Sequence, residues 1–217
     1  MLEKLPESLG EALHSQRAGI EHTVFHRLAN DEPLAIMKVS SSAFGPGERI
    51  PVKYTADGEG RSPPLEWRGT PETAACAIVI VEDADSPTPH PLVHAIVVNL
   101  DVRESSLIEG ALNSPRHEGI GLHTGRNSYL SQAWLPPDPP PGHGVHRYLF
   151  QVFALRSGAR FSESPGRQEV FDAIAEHAVG AGCLLGTYER AERARAAQSE
   201  LPEQEGMGDP SALVVPV

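Results

Sequence analysis

Residues 136–150, PPDPPPGHGVHRYLF, constrain the fold more than any other stretch of the 217-residue chain. Five prolines fall within six positions. Each fixes φ and removes a backbone donor, so the segment can be neither helix interior nor central strand. It reads as a rigid connector that delivers His146 and Arg147 to a set position at the head of the apolar run behind it.

The chain from residue 35 onward repeats this logic in weaker form. Short β-branched runs alternate with Gly/Pro turns (GPGE, DGEG, SPP, SPTPHP), the pattern of a sandwich or barrel. Strands are predicted in AIMKVSSSAF (35–44), RIPVKYT (49–55), ACAIVIVED (75–83), VHAIVVNL (93–100) and RYLFQVFAL (147–155). The interiors IVIV and IVVN do not alternate, so both are expected to be buried on two faces.

The flanks read differently. Leu5, Leu9, Leu13, Ile20, Val24 and Leu28 are spaced as one apolar stripe, predicting an amphipathic helical extension over residues 1–33. Such a stripe must pack on its own domain or on a second copy, which makes it the candidate contact for a homodimer. The β domain is assigned to residues 34–198. Near its end, Ser164-Pro165 predicts a helix start, AVGAG its stop, and TYERAERARAAQSE (187–200) a further helical segment. Residues 199–217 carry four acidic side chains, three prolines and no Lys or Arg, and are expected to form a mobile tail.

A formal net charge of −11 argues against nucleic-acid binding and stable membrane association, both of which rely on clustered Lys and Arg. Cys76 and Cys183 lie outside any CxxC pair, so neither structural zinc nor a disulfide framework is expected. No signal peptide or spanning segment is legible, which makes the cytoplasm the expected compartment.

Three polar groups stand where loops meet buried strands. Asp83 and Asp85 end one apolar run, His94 opens the next, and His146 follows the proline connector. Two imidazoles and a carboxylate can hold an oxyanion through charge-assisted hydrogen bonds, or a divalent metal. The blander reading makes each a satisfied structural side chain, with Asp83 bonded to turn amides and Arg147 a clamp. Spacing does not bring His94 and His146 together. His90 and His143 read as exposed loop residues. Ser, Thr and Cys occur in no GxSxG or Cys/His nucleophile pattern.

The series DADSP (83–87), HAIVVN (94–99) and PPDPPPGHGVHRY (136–148) resembles the phosphatidylethanolamine-binding protein family, in its bacterial Raf-kinase-inhibitor-like branch. SSAFGPGERIPVKYTADGEGRSPPLEW (41–67) and LLGTYER (184–190) extend the resemblance. It implies a mainly β fold, an antiparallel β-sandwich with an N-terminal helix and peripheral C-terminal helices. It also implies a small pocket for phosphate-like anions lined by Asp83, His94 and His146. Asp85 and Tyr148 belong to the same motifs, and Tyr188 matches a tyrosine that approaches the pocket in the family. Ala84 and Ala95 depart from the family's proline and tryptophan, and Pro136-Pro137 replaces its Gly-Pro. The departures predict open apolar space beside His94 and a pocket without one backbone donor.

The expected function is therefore a binding protein for phosphate or phosphoester headgroups, acting through contacts with a protein partner that the sequence does not name. Neither cofactor nor metal is called for. The alternative is a small hydrolase or isomerase using His94 or His146 as acid/base with Asp83 as orienter.

Overall fold

The computed structural model describes residues 6–28, 33–113 and 121–190. The fold is mainly β, built from two sheets that do not close into a barrel. The larger has six strands in the order β1 (Ala35–Ile36), β9 (Ala178–Tyr188), β8 (His146–Leu155), β4 (Cys76–Asp83), β5 (Leu92–Asp101) and β7 (His123–Thr124). The smaller joins β2 (Lys38–Ser40), β3 (Leu65–Arg68) and β6 (Ser106–Leu107). Pairing is antiparallel except at one edge, where β1 runs parallel to β9, so the larger sheet is mixed rather than purely antiparallel as expected.

The non-alternating runs lie at the centre of this sheet. In β4 every residue from Ala77 to Asp83 is buried, and β8 is buried along almost its whole length. One face carries Val79, Val81, Tyr148 and Phe150 into the main core, which also holds Trp67 of β3. The other buries Ile78, Ile80 and Phe153 against Val170 and Ile174 of helix α3 (Arg167–His177).

Four sequence expectations are corrected. RIPVKYT forms no strand: Val52–Tyr54 is a single 3₁₀ turn between prolyl and polar loops. AVGAG does not merely stop α3, because Ala178 begins β9 directly after it. The reason is steric, since glycines on the inner face of β9 let the chain around β2 cross over it. A Cβ at Gly182 would sit 2.2 Å from the Met37 carbonyl oxygen, and one at Gly186 2.7 Å from the Phe44 ring. Thr187 and Tyr188 accordingly end a strand, not open a helix, while residues 191–217, including the expected tail, lie outside the described residues.

The N-terminal stripe is the fourth. It divides into α1 (Glu7–Leu13), a 3₁₀ turn at Ile20–His22 and α2 (Val24–Arg27). Between them the backbone leaves helix geometry to bond the domain: the Ala18 and Gly19 amides donate to the Ser86 and Ala84 carbonyls, at 3.0 and 2.8 Å. Val24 is fully buried against the α3 face of the sheet. Val24 and Leu28 thus pack on their own chain, while Leu9 is exposed.

Candidate functional site

The site grows from the register of three central strands. Asp83, last residue of β4, lies opposite Tyr148 of β8 on one side and Leu92 of β5 on the other. His146 is two positions before Tyr148, on the same face by the alternation of a strand. His94 arrives differently. Val81 pairs with Ala95 and Glu82 with Val93, leaving His94 as the extra residue of a β-bulge. A bulge re-aims a side chain, and here it turns His94 towards the ring of Tyr148, 5.2 Å away and edge-on.

Asp83, His94 and His146 line one cavity of about 190 Å³, walled by Leu92, Leu135, Tyr129 and the connector prolines Pro136, Pro139 and Pro140. The stiffness of the connector fixes that wall. Leu135 is bonded to His94 in both directions, its amide donating to the His94 carbonyl at 2.9 Å and its carbonyl accepting from Nδ1 of His94 at 2.6 Å. With Nδ1 committed as donor, the neutral ring presents a bare Nε2, and that atom is buried without a partner among the described residues. Burial pushes the His94 imidazole below its ordinary value, only partly opposed by the charge of Asp83 and the Leu135 carbonyl.

His146 has no free nitrogen. Its Nδ1 bonds Oδ2 of Asp83 at 2.8 Å and its Nε2 meets Nδ1 of His143 at 2.7 Å. His143 in turn donates from Nε2 to the carbonyls of Leu13 and Gln16, at 2.8 and 3.1 Å. The expectation that His143 is an exposed loop residue is overturned, since it is fully buried. Gly144, at φ +87, makes the tight turn that lets two histidines three positions apart face one another. The GHGVH string carried that signal, but the partner carbonyls lie about 130 residues away in sequence.

The other candidates stand behind the cavity. Asp85 is fully buried and bonded to Nε and Nη2 of Arg147, each at 2.7 Å, with Arg17 at 3.0 Å. Burial pushes its carboxyl up, but the two guanidinium groups outweigh that and hold it below the usual carboxylate range. Tyr148 is buried between His94 and His146, and its hydroxyl has no partner among the described residues. Burial pushes that phenol well above its ordinary value. Tyr188 pairs with His146 across β8 and β9, yet its hydroxyl turns away to Oδ2 of Asp57 at 2.7 Å. The cleft at Ala95 has no room for a water molecule, and Trp134 stands beside His94 with ring centroids 6.0 Å apart. Among the described residues no group of three or more His, Cys, Asp or Glu is placed to hold a metal, and no helix is long and apolar enough to cross a membrane.

A mainly β fold with a small pocket at its central strand ends, walled by a proline connector, defines a class of small-ligand sites on β scaffolds. Residues 40–189 match the family model of the phosphatidylethanolamine-binding protein. The chain belongs to that family. It is 34% identical to a UPF0098 protein of Pyrococcus horikoshii over 154 residues, covering 69% of this chain and 75% of the relative. A UPF0098 protein of Chlamydia trachomatis is 34% identical over 158 residues, 71% of this chain and 99% of the relative. Among solved structures, a PEBP homologue from Chlamydia trachomatis aligns with TM-score 0.65 and 34% identity, covering 72% of this chain and 99% of that one. Escherichia coli YbcL, described as a member of the mammalian PEBP family, aligns with TM-score 0.67 and 25% identity, covering 71% and 99%. The family match begins at residue 40, so α1, α2 and Arg17 lie outside it.

Proposed function

We propose that this chain is a binding protein whose pocket takes a small oxyanion, a phosphate or phosphoester headgroup, with regulatory consequences passed on through protein contacts. The observation that supports this best is the bare, buried Nε2 of His94 in a concave site where the neighbouring His146 and Asp83 are already committed. A buried polar atom without a partner costs about 1–3 kcal/mol, and a ligand that completes its bonding recovers that cost. A cavity of about 190 Å³ suits a headgroup and not a drug-sized ligand, whose sites run from about 300 Å³ upward. The names of the relatives, which speak of phosphatidylethanolamine, favour the same ligand chemistry.

The chemistry at Nε2 makes a discriminating demand. A neutral His94 offers a lone pair, so a ligand must bring a proton, as a P–OH group does, or His94 must take one up. Hydrogen phosphate satisfies either route. Sulfate has only acceptors and needs the imidazolium form. Calorimetric titrations with phosphate and sulfate between pH 8 and 6 test this. Phosphate is expected to bind throughout and sulfate only as pH falls, with both lost in His94→Ala. Equal, pH-independent binding of the two, or none of either, would sink the reading. Both nitrogens of His146 face partners within the chain, which speaks against His146 as the acid/base of a hydrolase or isomerase.

A further inference from the structure

Along Asp83–His146–His143 three placements of the same hydrogens bond every atom, with the extra proton on His146, on His143 or on the Asp83 carboxyl. Nε2 of His143 faces two carbonyl oxygens, so it carries a hydrogen, and in the neutral ring that burial favours its Nδ1 is an acceptor. Nε2 of His146, 2.7 Å from that acceptor, must then be a donor, because two lone pairs at that distance repel. Nδ1 of His146 faces the Asp83 carboxyl at 2.8 Å. Asp83 already accepts from the Asp85 amide, and as a carboxylate it would accept from Nδ1 as well, placing a hydrogen on both nitrogens of His146.

What fixes this order is the N-terminal segment. It supplies both carbonyls that bond His143, and Arg17 ties the same loop down by donating to the His143 and Val145 carbonyls at 3.1 and 2.8 Å while pairing with Asp85. Helix α1 sits so close to the connector that a Cβ on Gly10 would lie 1.8 Å from the Pro141 carbonyl oxygen. The groups facing the imidazole pair are Asp83 from β4, His94 from β5, Tyr148 from β8, Asp138 from the connector, and His14 and Arg17 from the N-terminal segment.

We infer that His143 is a positioning residue of the pocket: it holds His146 in its doubly protonated form, and residues 13–19 are a clamp whose docking sets that state. Burial and the neighbouring His146 keep His143 itself on the neutral side. Undocking the clamp removes the acceptors of His143, frees its ring to change tautomer, and alters the charge behind the ligand. The consequence for affinity rests on the anion-pocket reading; the protonation of His146 does not.

The test is ¹⁵N NMR of the imidazoles in the ligand-free full chain at neutral pH, run beside phosphate calorimetry. His146 is expected to show two protonated nitrogens and a scalar coupling through the hydrogen bond to Nδ1 of His143. His143→Leu removes both the donor to Leu13 and Gln16 and the acceptor for His146, so His146 should lose the doubly protonated signature. Gly10→Ala removes no hydrogen-bonding side chain and improves helix propensity, yet should produce the same loss, because its Cβ meets the Pro141 carbonyl oxygen and lifts α1. Each variant is expected to weaken phosphate binding about tenfold, within the range of typical coupling between sites. A singly protonated His146 in the unaltered chain, or ring signals unmoved in both variants, would overturn the inference. If the unaltered chain binds no phosphate, the pocket reading falls, while the ring signals still decide the role of His143.

Discussion

Two adjacent carboxylates at the end of β4 point to opposite faces of one sheet, and their surroundings differ in kind. Glu82 is fully buried with both carboxylate oxygens bonded: Oε2 accepts from the Val24 amide at 2.7 Å and from Gln151 at 2.9 Å, and Oε1 from Arg167 at 2.6 Å. This network pins α2 and α3 to the sheet. Asp83, one residue on, accepts from the Asp85 amide and from His146, but the rings around it leave Nε2 of His94, the Tyr148 hydroxyl and Nε1 of Trp134 unpartnered among the described residues. Saturated polar burial marks an anchor. Unsaturated polar burial at a concave surface marks a place for something else.

The largest expected effect breaks the anchor. Glu82→Ala strands Arg167 and the Val24 amide, and should cost about 3 kcal/mol or more of unfolding free energy in urea, as removing one member of a buried ion pair does. It should leave phosphate affinity nearly as it was. A loss below about 1 kcal/mol would mean that the two faces are not distinct in the way described.

On the pocket face the ordering reverses. His94→Ala should weaken phosphate binding at least tenfold, since a hydrogen bond to a charged group is worth about 1.5–3 kcal/mol. Unchanged affinity by calorimetry would place the anion elsewhere.

Stability against pH sharpens the comparison further. His94 and His143 are both held below their ordinary value in the fold, chiefly by burial. Their contribution is therefore complete above the unfolded histidine value of about 6.5 and is lost as pH falls below it towards the depressed folded values. Asp85, also depressed in the fold, adds a second loss below about pH 4, the unfolded carboxylate value. Phosphate should offset the first loss and leave the second untouched. Thermal unfolding curves at steps between those limits check this, and a flat profile from about pH 7 to 5 would contradict it.

The smallest effect is expected at Tyr148→Phe. The hydroxyl has no partner to lose, so stability should stay within about 0.5 kcal/mol of the unaltered chain or rise slightly. A large destabilisation by chemical denaturation would show that the hydroxyl is bonded, and would remove one of the three atoms on which the contrast depends.

The sequence was most legible where local chemistry decides conformation. Prolines at 136–141 admit no helix or inner strand, so a rigid wall before β8 was readable from composition alone. The apolar runs of β4 and β5 declared themselves by lacking alternation. Asp83, His94 and His146 were legible as polar groups at strand ends and through the motifs they belong to. Tertiary structure decided the rest. The bulge at His94 depends on pairing between strands and leaves no mark in a run of apolar residues. The glycines of β9 looked like a helix stop because their purpose, clearance for a crossing segment, lies in a chain stretch far away in sequence. His143 looked like a loop residue because its acceptors are carbonyls of Leu13 and Gln16, and backbone carbonyls are the same at every position of a sequence. Sequence by itself determined which residues bring stiffness, burial and charge. Only the folded chain determined which of those charges are satisfied, because satisfaction depends on distances between segments that no local pattern encodes.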